Sequence, residues 1–211
     1  YKKGDFMSYN SLLTYGDFIP LKVTCNVNKL FEEIKDFSFQ RYNPRKPHIN
    51  RNGLSITSLD GELGGIDLDS MKEYNIEHNT DYDEHSFRTP TKVYHNSSQI
   101  QKLIEPFKGH IFRSHILHLP EGGYFPPHRD RPCYRDDQNA FRVLIPLKNC
   151  NPPKMYFMYE DKPLHFEHGR AYFLNTNKYH SLFAFKDSYM IVLNVDSNED
   201  TYKIIGDYML T

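Results

Sequence analysis

The sequence predicts a mainly β domain with flanking helices, in which an antiparallel β-core is buttressed on one face by helices. In the second half of the chain, short β-rich runs are separated by Gly, Pro, Asn and Asp, which is typical of a β-sandwich or barrel. In the first half, apolar residues recur at helical spacing instead. Helices followed by a series of strands favour a β-core with the helices segregated to one side.

Residue spacing places the individual elements. Helices are expected at residues 30–37, after the capping residue Asn26, and at 100–107, after Ser97, with a weaker one over 68–78. The strands are expected at residues 111–119, 141–147, 154–159, 171–174, 181–185 and 189–195. The 211 residues fit one domain, with a helix-rich supporting region and substrate lid in residues 1–110 and the β-core in residues 111–211.

Composition argues against several classes of protein. Lys and Arg total 26 against 27 Asp and Glu, a net charge of −1, which argues against a nucleic-acid partner. The longest apolar runs fall short of the roughly 18 residues that a membrane span needs, and the first residues lack the build of a signal peptide. Cys25, Cys133 and Cys150 form no CxxC and no zinc-type pair, so we expect reduced thiols in a cytoplasmic protein. Nothing in the sequence indicates an oligomeric state.

A metal site is predicted around segment 126–130, Pro-Pro-His-Arg-Asp. His128 and Asp130 are two residues apart, so on an extended segment their side chains leave the same face and can share one ion. A third ligand is expected from another strand, and His180 stands at the head of the apolar run 181–185. Two imidazoles and one carboxylate leave open positions on a metal and suit non-haem Fe(II), whereas the lack of thiolate disfavours structural zinc.

A cation for an acidic co-substrate is predicted in the strand 141–147. Arg142 interrupts a run that is otherwise apolar, and a buried Arg is costly unless its charge is paired. A bidentate carboxylate is its natural partner. That carboxylate belongs either to 2-oxoglutarate, which brings two electrons to a ferrous oxygenase, or to one of the chain's own acids.

These residues carry a family resemblance. The stretch from about Arg113 to Asp196 resembles the Fe(II)/2-oxoglutarate oxygenases of the aspartyl/asparaginyl β-hydroxylase group and, within it, bacterial proline hydroxylases. The matching segments, in order, are Leu119-Pro120-Glu121-Gly122-Gly123, Pro127-His128-Arg129-Asp130, Arg142 through Pro146-Leu147, and Gly169 to Leu174 before His180. The resemblance implies a double-stranded β-helix of jelly-roll or cupin-like type, iron held by His128, Asp130 and His180, and Arg142 on 2-oxoglutarate.

One departure from the family pattern concerns the far carboxylate of 2-oxoglutarate. Family members usually hold it with an Arg on the strand after the distal His, where this chain has Met190, and Leu144 stands where a His is often found. We therefore expect Arg142 to be the main anchor, helped by Tyr189, Lys186 or Arg113. Use of a different keto acid and loss of activity are the alternatives.

Four more residues are assigned to the substrate pocket: Arg113, His115, Arg129 and Asn175. Arg113 and His115 share a face of the strand 111–119, although an ordinary half-buried strand explains His115 as well. Asn175 precedes His180, where it either orients that ligand or forms a turn. The acid-rich loop 135–138 is either a gate for a cationic substrate or a solvated loop.

The activity expected from these residues and the resemblance is hydroxylation of an unactivated C–H bond, with Fe(II), 2-oxoglutarate and O2. Its substrate would be a small amino acid or a peptide residue, of proline or Asp/Asn type. Two alternatives stay open. The chain could be a non-catalytic β-barrel module that binds a carboxylate, or a cupin-type enzyme that uses zinc or manganese.

Overall fold

The computed structural model describes residues 8–130 and 139–210, so Cys133 and the predicted acid-rich loop at 135–138 lie outside the described residues. No helix among them is long and apolar enough to cross a membrane. The α-helices are α1 (Tyr9–Leu13), α2 (Val27–Ile34), α3 (Met71–His78), α4 (Lys92–Asn96), α5 (Ser98–Ile104) and α6 (Glu199–Tyr208). The strands are β1 (Phe18–Thr24), β2 (Gln40–Arg41), β3 (Asn52–Ser55), β4 (Thr57–Ser58), β5 (Thr89–Pro90), β6 (Ile111–Leu119), β7 (Tyr124–His128), β8 (Ala140–Lys148), β9 (Met155–Tyr159), β10 (Lys162–Pro163), β11 (Arg170–Leu174), β12 (His180–Ala184) and β13 (Ser188–Asp196).

The second half of the chain forms a jelly-roll core. A large antiparallel sheet has the order β1-β11-β8-β13-β6-β3-β2, and a small one has the order β10-β9-β12-β7. From β6 to β13 the chain passes back and forth between the two sheets, with β9 and β10 as a hairpin in the small one, so that four strands of each sheet belong to the core and face one another. The predicted fold class, mainly β with flanking helices around a jelly-roll core, is therefore confirmed.

The two faces of the large sheet pack against different parts of the protein. The outer face carries Phe141, Val143 and Ile145 of β8 and packs against the helices, for example against Ile100 of α5. The inner face carries the alternate residues, such as Leu144, and packs against Phe157 of the small sheet. Because successive side chains of a strand point to opposite faces of the sheet, only every second residue of each strand can reach the space between the sheets.

The N-terminal half contains more β-structure than the spacing predicted. β1 pairs with β11 at one edge of the large sheet, and β3 and β2 extend the other edge beyond β6. β3 was missed because Gly53 and Ser55 give it little apolar character, although both are buried. α2 begins at Val27, where the Asn26 side chain caps it by accepting a hydrogen bond from the Lys29 amide, as expected.

Candidate metal centre

Three side chains converge between the two sheets at one end of the core. His128 ends β7 and pairs in register with His180, the first residue of β12, while Asp130 follows two residues after His128. One donor atom from each of the three lies within 4.8 Å of the others. The Asp130 amide donates to the Thr176 carbonyl oxygen at 3.0 Å, which ties the segment after β7 to the loop before β12.

Backbone carbonyls orient both imidazoles. His128 Nδ1 lies 2.7 Å from the Pro126 carbonyl oxygen, and His180 Nδ1 lies 3.0 Å from that of Lys178. A carbonyl oxygen can only accept, so each Nδ1 is protonated and donates, which leaves Nε2 of the neutral ring as a lone-pair donor. The two Nε2 atoms lie 3.6 and 3.9 Å from the same oxygen of Asp130. Burial lowers the pKa of His180, which favours the neutral imidazole that a metal requires.

Arg142 holds the carboxylate of the cluster in its charged form. Its Nε lies 3.1 Å from the second oxygen of Asp130. Burial acts to raise the pKa of Asp130, but the charge of Arg142, with smaller contributions from the two histidines and a hydrogen bond from Thr176, outweighs it, and the pKa is lowered. An ionised carboxylate and two imidazoles whose Nδ1 atoms are engaged by carbonyl oxygens, so that Nε2 is the atom left for a metal, fit a divalent metal ion. The Nε of Arg142 thus pairs with one of the chain's own acids, and the contact of its guanidinium with 2-oxoglutarate stays a prediction.

A cavity of about 690 Å³ opens beside the cluster, a size typical of sites for small molecules. Part of its wall is apolar and comes from the inner faces of both sheets: Leu144, Phe157, Leu174, Leu182, Met190 and Val192. Met190, the position where the family that the sequence resembles usually has an Arg, belongs to this apolar wall.

Three of the predicted pocket residues lie on the cavity wall, namely Arg113, His115 and Arg129. The Arg113 guanidinium is bound by other residues of the protein. Its Nε and Nη2 donate to the carbonyl oxygens of Asp67 and Asp69 at 2.8 and 2.6 Å, and Nη1 is ion-paired with Glu84. His115 is 6% exposed, and burial lowers its pKa to about 3, so it is a neutral side chain of the wall.

Tyr189 and Lys186, which were predicted to help bind 2-oxoglutarate, make their described contacts away from the cavity. Tyr189 lies on the outer face of the large sheet, where its ring stacks on His118 at 4.4 Å between centroids and contacts Phe31. Lys186 is exposed between β12 and β13 and is ion-paired with Glu121 at 3.0 Å. Neither side chain lines the cavity among the described residues.

Asn175 is buried and does not line the described part of the cavity. Its Oδ1 accepts a hydrogen bond from the Asn177 amide at 3.2 Å, which is the turn that the sequence allowed. Its Oδ1 accepts from the Tyr9 hydroxyl at 3.0 Å, and its Nδ2 donates to Asp17 at 2.7 Å. Its carbonyl oxygen accepts from the Tyr159 hydroxyl at 2.7 Å. Asn175 thus ties α1, β1 and β9 to the loop before His180, and the neighbouring Thr176 is the residue of this loop that contacts Asp130.

Arg51 and Phe125 also line the cavity and were not predicted. Arg51 gave no sequence signal like that of Arg142, because the run 53–58 that follows it is buried but mixes apolar residues with Gly, Ser and Thr. Phe125 lies on β7, three residues before His128, and gave no signal beyond an apolar side chain.

The chain is similar to several solved structures at low sequence identity. No family model matches the chain, and no curated protein matches it in sequence. A prolyl-4-hydroxylase from Pseudomonas putida is 11% identical over 88% of this chain and 95% of that one, with a TM-score of 0.48. A 2-oxoglutarate-Fe(II) oxygenase family oxidoreductase from Burkholderia pseudomallei is 10% identical over 94% and 95%, with a TM-score of 0.47. A viral collagen prolyl hydroxylase from Paramecium Bursaria Chlorella virus-1 is 10% identical over 87% and 97%, with a TM-score of 0.48.

Proposed function

We propose that this protein is an Fe(II)- and 2-oxoglutarate-dependent dioxygenase that hydroxylates an unactivated C–H bond. The observation that carries the proposal is the convergence of His128, Asp130 and His180 at the mouth of a cavity, with both imidazoles oriented by backbone carbonyls. This donor set leaves open positions for a co-substrate and O2. The proposal places the chain with the aspartyl/asparaginyl β-hydroxylase group that its sequence resembles.

Each residue near the cluster has a defined task. His128, Asp130 and His180 would hold the metal on one side. Arg142 keeps Asp130 ionised through its Nε contact, and because it also lines the cavity we assign it the contact with 2-oxoglutarate near the metal. Thr176 fixes Asp130 through its carbonyl oxygen and through a side-chain hydrogen bond.

Bound Fe(II), together with 2-oxoglutarate and O2, supplies the oxidising power for hydroxylation, with succinate and carbon dioxide as co-products. The chain itself contributes geometry. The carbonyl oxygens of Pro126 and Lys178 fix the imidazole planes and hold the proton on Nδ1, so that Nε2 is the atom that would bind the metal. The apolar wall around Leu174 and Met190 keeps water away from the reacting carbon.

The substrate in this proposal is a small amino acid or a peptide residue, of proline or Asp/Asn type. The cavity volume of about 690 Å³ supports a ligand of this size. The wall combines apolar side chains with cationic ones, which suits a ligand that has both a hydrocarbon part and a carboxylate.

The proposal is tested by incubating the protein with Fe(II), ascorbate and 2-oxoglutarate and by measuring succinate across a panel of amino acids and peptides. We expect succinate from the wild-type protein and none from His180→Ala, which loses one of the three metal ligands. His165→Ala is the matched control because His165 is exposed and stands apart from the cluster; we expect wild-type turnover from it.

Other outcomes would point elsewhere. Turnover retained in His180→Ala contradicts the ligand assignment. A wild-type protein that binds carboxylates but yields no succinate is the non-catalytic module, and turnover that depends on zinc or manganese without 2-oxoglutarate identifies a cupin-type enzyme.

A further inference from the structure

The cavity holds a second buried cation, which the metal cluster does not use. Arg51 stands just before β3 and is 5% exposed. Its guanidinium carbon lies 3.9 Å from the centre of the Phe125 ring and 5.1 Å from that of the Tyr42 ring. The guanidinium therefore rests on two aromatic faces that also line the cavity.

Within residues 8–130 and 139–210, the Arg51 side chain makes neither a hydrogen bond nor an ion pair, and its Nε is buried without an acceptor. Burial lowers the pKa of Arg51, although an Arg keeps its proton at neutral pH. A buried charge without a counter-ion costs several kcal/mol unless a partner compensates it. A guanidinium matches a carboxylate through two parallel hydrogen bonds, so a carboxylate is the partner that fits.

The charges around the cavity point to an anionic ligand as well. Of the charged residues that line its described part, the cations outnumber the carboxylates: Lys46, Arg51, Lys72, Arg113, Arg129 and Arg142 against Asp69, Glu84 and Asp130. Each of these carboxylates is already ion-paired with an Arg other than Arg51.

Arg51 is close enough to the metal cluster for one small ligand to reach both. The Phe125 ring, on which the guanidinium rests, has its centre 5.8 Å from that of the His128 imidazole. The guanidinium carbon therefore lies within about 10 Å of that imidazole. The loop of Gly122 and Gly123 supports this arrangement, because a Cβ at Gly123 would collide with the carbonyl oxygen of Asn50, next to Arg51.

We propose that Arg51 binds the carboxylate of a small ligand in the cavity. This carboxylate has two possible sources: the end of 2-oxoglutarate that is remote from its keto group, or the substrate itself. The identity of these ligands rests on the proposed function. The contact itself does not need the metal, because Arg51 is separate from the three metal-binding side chains.

The test is isothermal titration calorimetry, with Mn(II) in place of iron and again with a chelator. The ligands are 2-oxoglutarate, 2-oxopentanoate (which lacks the second carboxylate), L-proline and prolinamide. We expect Arg51→Met to weaken one of the two carboxylate ligands at least tenfold, or about 1.4 kcal/mol. If Arg51 binds the far carboxylate of 2-oxoglutarate, 2-oxopentanoate should bind the wild type and Arg51→Met with equal affinity. If Arg51 binds the substrate carboxylate, Arg51→Met should lose affinity for L-proline but not for prolinamide.

Lys46→Met is the matched control. Lys46 carries the same charge and lines the same cavity, but it is exposed, so we expect its removal to change affinity less than twofold. A loss of affinity equal to that of Arg51→Met would mean that only the overall charge of the cavity matters, which overturns the proposal.

Thermal unfolding separates ligand binding from a purely structural role of Arg51. Because Arg51→Met removes an unpaired buried charge, we expect its Tm without ligand to equal or exceed that of wild type, and saturating ligand to raise the wild-type Tm alone. A lower Tm without ligand, together with equal ligand shifts, would show that Arg51 only supports the fold.

Equal affinity of wild type and Arg51→Met for all four ligands overturns the proposal, and so does a wild-type protein that binds none of them. If Mn(II) fails to bind while carboxylate binding still depends on Arg51, the proposed function fails and this inference stands.

Discussion

The same strands of the large sheet give it two different faces, an outer one that packs against helices and an inner one that lines the cavity. On the outer face, Phe141 and Phe173 are fully buried, with ring centres 5.4 Å apart, and pack against helix residues such as Tyr202. On the inner face, Arg142 and Asn194 of neighbouring strands line the cavity. The outer face gains stability from burial, while the inner face keeps polar groups at one end, where they cost stability and are available to ligands. Substitutions on the two faces should therefore separate stability from binding.

The largest effect is expected in the outer core. Phe173→Ala should lower the free energy of unfolding by about 3–5 kcal/mol, because it removes a fully buried ring and leaves a cavity among Phe141 and Tyr9. Phe183→Ala is the matched control, since Phe183 is 42% exposed on β12 and should cost under about 0.5 kcal/mol. Urea denaturation measures both. Similar losses for the two variants would contradict the assignment of the outer face as the main source of stability.

The next effect concerns the inner face. Arg142→Ala should raise the 2-oxoglutarate concentration needed for half-maximal turnover at least tenfold, since a charge-assisted contact contributes about 1.5–3 kcal/mol. Tyr189→Phe is the control from the opposite face and should leave this concentration unchanged. Steady-state kinetics at saturating Fe(II) makes the comparison. An unchanged requirement in Arg142→Ala would remove Arg142 from the co-substrate site.

A substitution at Asn175 tests whether a residue next to the metal cluster contributes to stability or to metal binding. Asn175→Ala should lower the free energy of unfolding by about 1–3 kcal/mol, because the buried Tyr9 hydroxyl loses the Asn175 oxygen to which it donates, and Asp17 keeps its ion pair with Lys178 but loses the Asn175 amide. Metal affinity of the folded variant should stay within a few-fold of wild type. If metal affinity fell sharply while stability held, Asn175 would belong to the site after all.

The smallest effect is a pH dependence behind the cavity wall. Burial raises the pKa of Asp67, which accepts a hydrogen bond from the Ser55 hydroxyl at 2.6 Å. Because the folded protein binds this proton more tightly than the unfolded chain does, Asp67 lowers stability as pH rises from its unfolded pKa through its folded one. The Tm of Asp67→Asn should therefore improve relative to wild type as pH increases over that interval. A constant difference in Tm across the interval would contradict the raised pKa.

The sequence predicted the elements that depend on local pattern and missed those that depend on distant contacts. His128 and Asp130 were found because a two-residue spacing puts them on one face, and His180 because it precedes an apolar strand. Alternation also separates Tyr189 from Met190, but it does not tell which of them faces the cavity. Arg51 is a site candidate only because Phe125 and Tyr42, remote in sequence, fold against it. Asn175 was singled out as a polar residue near His180, but local pattern could not show that its side chain also binds Tyr9 and Asp17 of the N-terminal segment.

The central claim is that His128, Asp130 and His180 hold one metal ion. Anaerobic equilibrium dialysis against Fe(II), with the bound metal counted per chain, tests it directly for the wild-type protein, for the Ala variant of each of the three residues, and for His165→Ala. We predict one ion per chain in the wild type and in His165→Ala, and at least a hundredfold weaker binding in each of the three variants. Wild-type stoichiometry and affinity in any of those three would contradict the account.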